Sequence, residues 1–76
     1  MEISKFIENF ADQFDDTEQS EFKPETVFHE LDEYSSLIAL SIIAMVDEEY
    51  NVALNADDMS SSVTIEDLFN KVKSKL

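Results

Sequence analysis

Apolar residues recur at helical spacing in three segments of this chain, and no segment alternates apolar and polar residues as a half-buried strand does. The sequence also contains no glycine and a single proline. Helix ends and turns must therefore use Asn, Ser and Asp, whose side chains hydrogen-bond to the nearby backbone. Together these features predict an all-α fold with three main helices, one short helix and a long first loop.

The first segment has six apolar residues at helical spacing, which are Ile3, Phe6, Ile7, Phe10, Ala11 and Phe14. Polar residues fill the opposite face, so the pattern predicts an amphipathic first helix. Residues 15–24 are acidic, lack periodicity and include the only proline, which indicates a long loop. After this loop, Val27, Phe28 and Leu31 are expected to anchor it to the core.

The second helix is expected to run from Ser36 to about Tyr50. One apolar stripe consists of Leu37, Leu40, Ile43 and Ala44, and further apolar surface is added by Ile42, Met45, Val46 and Tyr50. A helix that is apolar over so much of its circumference is either central to the fold or has a second face for a partner. Acidic residues 47–49 lie at its C-terminal end, where the helix dipole disfavours them, and this placement indicates a binding role.

The last third of the chain predicts two more helical segments. Asn55 can cap a single helical turn over residues 55–59, and residues 60–62 are three serines, which predict a loop. Residues 64–67 resemble a capping box with Asp at its fourth position, so a last helix should begin there. This helix is expected to bury Leu68, Phe69 and Val72 and to end in a lysine-rich turn.

Length and composition limit the chain to one small domain, residues 1–76. Apolar residues make up 43% of the sequence, and six of the aromatic residues are phenylalanine, which is enough for one compact core. This composition is too apolar for a disordered acidic tail. We expect a monomer.

Charge is the first indication of the kind of partner. Eighteen acidic residues face five lysines, which gives a net charge of −13, and all of the acidic residues precede Lys71. Such a body repels nucleic acid phosphates and anionic membranes. It attracts partners with basic patches, in a salt-dependent way.

Several kinds of site and location are excluded by what the sequence lacks. There is no cysteine, and therefore neither a disulfide nor a thiolate metal site. The N-terminus does not resemble a signal peptide, and the longest apolar stretch, residues 37–46, is too short to span a bilayer. We therefore expect a cytoplasmic protein without membrane insertion. His29 is the only histidine, so it is expected to be a loop residue beside Phe28 rather than a metal ligand.

Two serines separate an acidic run from the second helix. Serine is among the best N-cap residues, because its side-chain oxygen accepts a hydrogen bond from a free backbone N–H. The pattern predicts that Ser35 caps the helix and that Ser36 lies in its first turn. Ser36 would then keep a free, exposed hydroxyl at a helix N-terminus, where the dipole favours an anion.

Four stretches together resemble the acyl carrier protein family over nearly the whole chain. Ser35-Ser36-Leu37 occupies the place of the family's Asp-Ser-Leu, and SLIALSIIAMVDEEYNV is similar to its aliphatic run, acidic triplet and aromatic residue. Upstream, FHEL is similar to the family's Phe-x-x-Leu, and downstream VTIEDLF resembles the start of its last helix. The resemblance implies an acyl carrier protein-like bundle that is a carrier and not itself an enzyme.

The resemblance also implies a site and a cofactor. Ser36 would carry 4′-phosphopantetheine, donated by coenzyme A and attached by a phosphopantetheinyl transferase. The arm would hold acyl groups as thioesters for fatty acid or related lipid or polyketide biosynthesis. The apolar interior near Ile43, Val46 and Phe69 is expected to shelter the acyl chain, because burial of each CH₂ contributes about 0.8 kcal/mol.

The resemblance assigns a docking face to the second helix. Acyl-transferring and synthase enzymes with basic patches would contact Leu37, Leu40, Ala44, Asp47 and Glu48. The core is expected to take Ile42, Ile43, Val46 and Tyr50. Family members often carry an acid where Ser41 stands, which implies a different partner preference in this chain.

The chain departs from the family at the serine motif. Ser35 replaces the Asp that helps to engage the transferase, residues 32–34 stand where the family has a Gly, and one extra residue lies between Leu31 and Ser36. These departures imply a dedicated or broadly specific transferase, and they favour a specialised pathway. Two alternatives stay open, which are an aminoacyl or peptidyl carrier, and an unmodified acidic adaptor or mimic of nucleic acid charge.

Overall fold

The computed structural model describes residues 2–76 as a small helical bundle. Its four α-helices are α1 (Ile3–Ala11), α2 (Ser36–Tyr50), α3 (Ala56–Ser61) and α4 (Ile65–Ser74). Two 3₁₀ turns, Gln19–Glu21 and Phe28–Glu30, interrupt the long segment between α1 and α2. Among the described residues the only β-type pairing is an isolated bridge, so the predicted all-α fold is confirmed.

Phenylalanine side chains form the centre of the core. All six are buried, and Phe10 contacts Phe14, Phe22 and Phe28 with ring centroids 5.6, 6.1 and 5.4 Å away. Edge and offset contacts of this kind are favourable beyond the area that they bury. Phe14 lies three residues beyond the end of α1 and is still buried, so the apolar spacing continues after the helix stops.

The segment between α1 and α2 is held at its middle by α4. Val27 forms an antiparallel bridge with Thr64, and the Ile65 N–H donates to the Thr26 carbonyl at 3.1 Å. Phe28 is fully buried, and Leu31 packs against the core. The three predicted anchors therefore work in two ways, because Val27 acts through its backbone and the other two through their side chains.

A single polar contact links α1 to α2 inside the bundle. The Asn9 side-chain amide donates to the Tyr50 hydroxyl at 3.0 Å, and Asn9 is one of the few buried polar residues. Tyr50 also lies 5.9 Å from Phe6, measured between ring centroids. This end of α2 is thus fixed by a hydrogen bond as well as by packing.

The prediction that the three serines form a loop is wrong for Ser60 and Ser61, which belong to α3. Their hydroxyls donate to carbonyls one turn back, for example Ser60 to Ala56 at 3.1 Å, so the serines bond within the helix instead of breaking it. A capping box between Asn55 and Asp58 starts this helix. Only Ser62 lies beyond it, as a buried cap residue.

The lysine-rich end of α4 lies against α3. The Lys71 ammonium contacts the Ser61 hydroxyl, and the Lys75 ammonium lies 3.8 Å from an Asp58 carboxylate oxygen. Lys73 lies over the Phe69 ring at 5.7 Å from its centroid. All three lysines of this end therefore have neighbours within the chain.

Candidate functional site

The start of α2 is set by Ser35. Its backbone is extended, with φ −154° and ψ 176°, and its side-chain oxygen accepts a hydrogen bond from the Ile38 N–H at 3.3 Å. Its carbonyl accepts the first helical bond, from the Ala39 N–H at 2.9 Å. Ser35 is therefore the N-cap that the sequence predicts, and its hydroxyl is engaged by the backbone.

Ser36 is the first helical residue and is exposed to solvent. Within residues 2–76 no hydrogen-bond partner holds its hydroxyl, in contrast to that of Ser35. The first turn of α2 contains no acidic residue, so the free N–H groups at this helix end face no carboxylate from their own turn. The position combines an available hydroxyl with a backbone environment that favours a bound anion.

A groove of about 350 Å³ begins at Ser36 and runs between α2 and α3. One wall is formed by Tyr34, Ser36, Ala39, Leu40 and Ile43, and the other wall by His29, Ala56, Met59 and Ser60. The lining is mainly apolar, with hydroxyl and imidazole groups along it. A flexible group attached to Ser36 would have an apolar surface directly beside its point of attachment.

His29 fastens the loop before α2 to the end of α3. Its Nε2 atom lies 3.0 Å from the Met59 carbonyl oxygen and 3.1 Å from that of Ser62. Its ring centroid is 4.4 Å from that of Phe28 and 5.0 Å from that of Tyr34. The sequence predicts the neighbour Phe28, but the carbonyl contacts join residues too distant in the chain for any local pattern to reveal.

Burial in this cluster raises the pKa of the Tyr34 hydroxyl. Tyr34 also packs against Phe28, with ring centroids 5.4 Å apart. Its ring therefore sits between the core and the groove, and its hydroxyl stays protonated at neutral pH.

Glu33 ties the first loop to the turn that precedes the site. Its carboxylate accepts hydrogen bonds from the Asp15 N–H at 2.6 Å, the Asp16 N–H at 3.0 Å and the Thr17 hydroxyl at 2.7 Å. These bonds, led by the one from Thr17, lower the pKa of the Glu33 carboxyl. Glu33 belongs to residues 32–34, the stretch that differs from the family pattern. This stretch therefore has a structural role in this chain, which is to hold the first loop.

The proposed docking residues of α2 all lie on its solvent side. Leu37 is 76% exposed and Leu40 is 61% exposed, so two large apolar side chains one turn apart face solvent on this helix. The three remaining exposed members of the set are Ala44, Asp47 and Glu48. The opposite side is buried at Ile42, Met45 and Val46.

The core predictions for α2 are confirmed. Ile42 and Val46 are fully buried, while Ile43 and Tyr50 are partly buried and pack against the core. The stripe that joined Leu37, Leu40, Ile43 and Ala44 in the sequence is therefore not the core face. It lies at the edge of the core, where Leu40 and Ile43 line the groove and Leu37 and Ala44 face solvent.

Acidic side chains line a second depression of about 430 Å³. Its lining includes Asp16, Glu21, Glu30, Asp32 and Glu33. No group of three or more His, Cys, Asp or Glu side chains within residues 2–76 is arranged to hold a metal ion. In the same described part of the chain, no helix combines the length and the apolar character that a membrane span requires.

Comparison with known proteins gives one match. The family model described as "Phosphopantetheine attachment site" matches residues 4–72, which is nearly the whole chain. The searches against curated proteins and against solved structures gave no match. The matched range includes all four helices except Ile3 of α1 and the last two residues of α4, together with both serines and the groove beside them.

Proposed function

Because the chain belongs to the family of phosphopantetheine-attachment domains, we propose that it is an acyl carrier protein whose 4′-phosphopantetheine arm is attached to Ser36. The family binds this prosthetic group covalently, so the cofactor follows from membership. The position of the attachment and the acyl cargo are the parts that we propose.

One observation carries the choice of Ser36. The two adjacent serines are both exposed but differ in what their hydroxyls do, because the Ser35 oxygen accepts the capping bond from the Ile38 N–H and no residue within 2–76 holds the Ser36 hydroxyl. A transferase needs an accessible hydroxyl, and use of the Ser35 oxygen would remove the cap from α2. Modification at Ser36 leaves the helix start intact.

The residues around Ser36 fit the prosthetic group. The N-terminal end of α2 offers backbone N–H groups to its phosphate, and the groove past Ala39 and Ile43 offers an apolar surface to what lies beyond. When bound, the group supplies a terminal thiol that holds the cargo as a thioester. The chain contributes attachment, orientation and shelter, while partner enzymes carry out the chemistry.

Attachment requires one balanced transfer at Ser36. The Ser36 oxygen would attack the phosphorus next to the pantetheine unit of coenzyme A, forming the phosphodiester bond. The pyrophosphate linkage of coenzyme A breaks, adenosine 3′,5′-bisphosphate leaves, and the hydroxyl proton passes to a base of the transferase. Nothing in this step needs a catalytic residue of the carrier, which agrees with a role as substrate rather than enzyme.

The exposed face of α2 supports docking of the partner enzymes. Leu37 and Leu40 would enter shallow apolar pockets, and Asp47 and Glu48 would pair with basic residues around them. The net charge of −13 favours rapid association with basic partners. Phosphopantetheinyl transferases and acyl-transferring synthase enzymes are the proposed partners.

The acyl cargo is favoured over the alternatives by the groove. A mainly apolar lining beside the attachment point suits an acyl chain better than an aminoacyl group, whose ammonium stays charged after its carboxylate has formed the thioester. The family match itself is common to acyl, aminoacyl and peptidyl carriers, and it supports a carrier over an unmodified acidic adaptor. Fatty acid synthesis and a specialised lipid or polyketide pathway are both compatible with this site.

Intact mass spectrometry tests the proposal. The protein would be incubated with coenzyme A and a broadly specific phosphopantetheinyl transferase, alongside the variants Ser36→Ala and Ser35→Ala. We expect the mass of one phosphopantetheine to be added to the wild type and to Ser35→Ala, and nothing to be added to Ser36→Ala. Addition to Ser36→Ala would contradict the assigned position, and no addition to the wild type would contradict the carrier function.

A further inference from the structure

The short helix α3 has little apolar packing of its own. Met59 is its only buried residue, and the helix packs on α4 rather than extensively on α2, from which the groove separates it. A helix of six residues is not stable by itself. Its position beside the groove must therefore depend on a few polar contacts.

The polar contacts that tie α3 to the rest of the chain come from Lys71, Lys75 and His29. Lys71 in the last turn of α4 contacts Ser61 in an exposed position, and Lys75, just beyond α4, approaches Asp58 with its own side chain exposed, so water weakens both contacts. The contact from His29 is different, because one ring nitrogen lies between the carbonyl oxygens of Met59 and Ser62. Carbonyl oxygens only accept, so Nε2 carries the hydrogen and donates it to this pair.

The ring of His29 is itself held in place. It packs on Phe28, which is fully buried, and on Tyr34, which lines the same groove. Phe28 is in contact with the core ring of Phe10. The N–H donor of His29 therefore has a fixed position relative to the core. Its hydrogen bonds to the Met59 and Ser62 carbonyls hold the end of α3 in place relative to the core as well.

We propose that His29 is a positioning residue that holds the C-terminal end of α3 and thereby sets the width of the groove beside Ser36. This inference rests on the proposed function, because the groove is taken as the place where the arm and its cargo lie. His29 and Met59 both line the groove, so loss of their contact moves one wall relative to Ala39 and Ile43 on the other. A carrier without the contact would shelter its cargo less well.

Two substitutions test the contribution of the His29 N–H donor separately from that of its aromatic ring. His29→Phe keeps an aromatic ring against Phe28 and Tyr34 but has no donor for the carbonyls. His29→Gln loses the ring and keeps an N–H donor at a similar distance from the backbone. Glu30→Gln, at an exposed neighbour in the same 3₁₀ turn, is the matched control.

Amide hydrogen exchange of the unmodified protein gives the first measurement. We expect His29→Phe to speed exchange at the α3 amides of Met59, Ser60 and Ser61 about fivefold or more, as for the loss of one hydrogen bond. His29→Gln should stay near the wild-type rate, as should Glu30→Gln. Exchange of the α1 amides reports whether the whole protein stays folded. If His29→Phe loses protection in α1, the variant is not folded, and His29→Leu is measured in its place.

The second measurement uses the protein loaded with an octanoyl group. Hydroxylamine should release the octanoyl group faster from His29→Phe than from the wild type, and His29→Gln should restore the wild-type rate. Unchanged α3 exchange in His29→Phe would overturn the proposal. Faster exchange with unchanged release would overturn the link to the groove. The exchange measurement needs no arm, so failure of the protein to be modified at Ser36 would leave this test of His29 in place.

Discussion

The Ser35 side-chain oxygen lies 3.3 Å from the Ile38 amide nitrogen, and the hydroxyl of the next residue, Ser36, is exposed at the same helix end. One serine therefore builds the helix start, while the other is available on it. Because the two serines have different roles, a change at Ser35 can alter stability or recognition without removing the Ser36 hydroxyl, the proposed point of attachment.

Ser35→Ala should lower the free energy of unfolding by about 1 kcal/mol, because the Ile38 N–H loses its capping partner. Ser35→Asp should keep the cap and add a carboxylate beside Ser36, where the family has one. We expect Ser35→Asp to be modified faster than the wild type by a transferase that recognises the family motif. Denaturant unfolding measures the effect on stability, and initial rates of modification measure the effect on recognition. Equal rates for the wild type and Ser35→Asp would show that the transferase does not recognise the added carboxylate.

Glu33 should make stability depend on pH in the acid range. Hydrogen bonds lower the pKa of its folded-state carboxyl below the ordinary value of 4.5. Its contribution is therefore fully present above about pH 4.5 and is lost as the pH falls through the lower folded-state pKa. Unfolding free energies of the wild type and Glu33→Gln should differ at pH 7 and converge in acid.

Asp32→Asn is the control for this titration, because Asp32 is the exposed neighbour of Glu33. It removes a charge from the same turn without removing the bonds to Asp15, Asp16 and Thr17. If Asp32→Asn showed the same pH dependence as Glu33→Gln, general charge repulsion rather than the loop contacts would explain the result.

The docking face should respond to substitution without loss of stability. Leu40→Ala removes an apolar side chain that is already 61% exposed, so the unfolding free energy should change by less than about 0.5 kcal/mol. Asp47→Lys reverses a charge on the same face. Both variants should weaken binding to the transferase, by roughly tenfold for the leucine as an interface anchor. Isothermal titration or surface plasmon resonance measures the effect.

Glu25→Lys is a matched charge reversal away from this face. Glu25 is exposed and follows Pro24, whose carbonyl accepts from the Glu66 N–H at the start of α4. Both lysine variants change the net charge equally, so a general electrostatic effect would weaken binding in both and would fade with salt. A loss confined to Asp47→Lys would mark the α2 surface as the contact.

Acyl chains of increasing length should shift the NMR signals of successively more buried residues, starting from the groove. Ile43 lines the groove and is partly buried, whereas Val46 and Phe69 lie within the core. Short chains should shift the NMR signals of Ile43 first, and longer chains should reach Val46 and Phe69 only if the helices separate. Shifts of these three residues that do not change with chain length would rule out shelter of the cargo inside the bundle.

The sequence predicts α2 well because both of its ends carry local signals. Ser35 supplies the cap, and after Tyr50 the chain turns at Asn51 with a left-handed backbone, φ 56°, which asparagine tolerates better than most residues. The first turn of α4 is similarly fixed by the capping box of Thr64 and Asp67. In these places the determining contacts join residues close in the chain.

The predictions were wrong or incomplete where the determining contact is distant or where two local rules compete. Serine is common in loops, yet the hydroxyls of Ser60 and Ser61 bond within α3. The partners of His29 and Glu33 lie in other segments, so periodicity could not reveal them. Periodicity also could not separate the exposed leucines of α2 from its core face, because this helix is apolar on several sides.

Ser36 is itself one of the residues that line the groove. A cargo on a flexible tether anchored there would experience the groove at an effective concentration of about millimolar without diffusing to it. The groove would therefore need only weak intrinsic affinity for the cargo to be occupied by it most of the time. Because that affinity would be weak, an enzyme whose own site binds the cargo slightly more tightly could withdraw it. Retention and delivery of the cargo would then not require two different structures of the carrier.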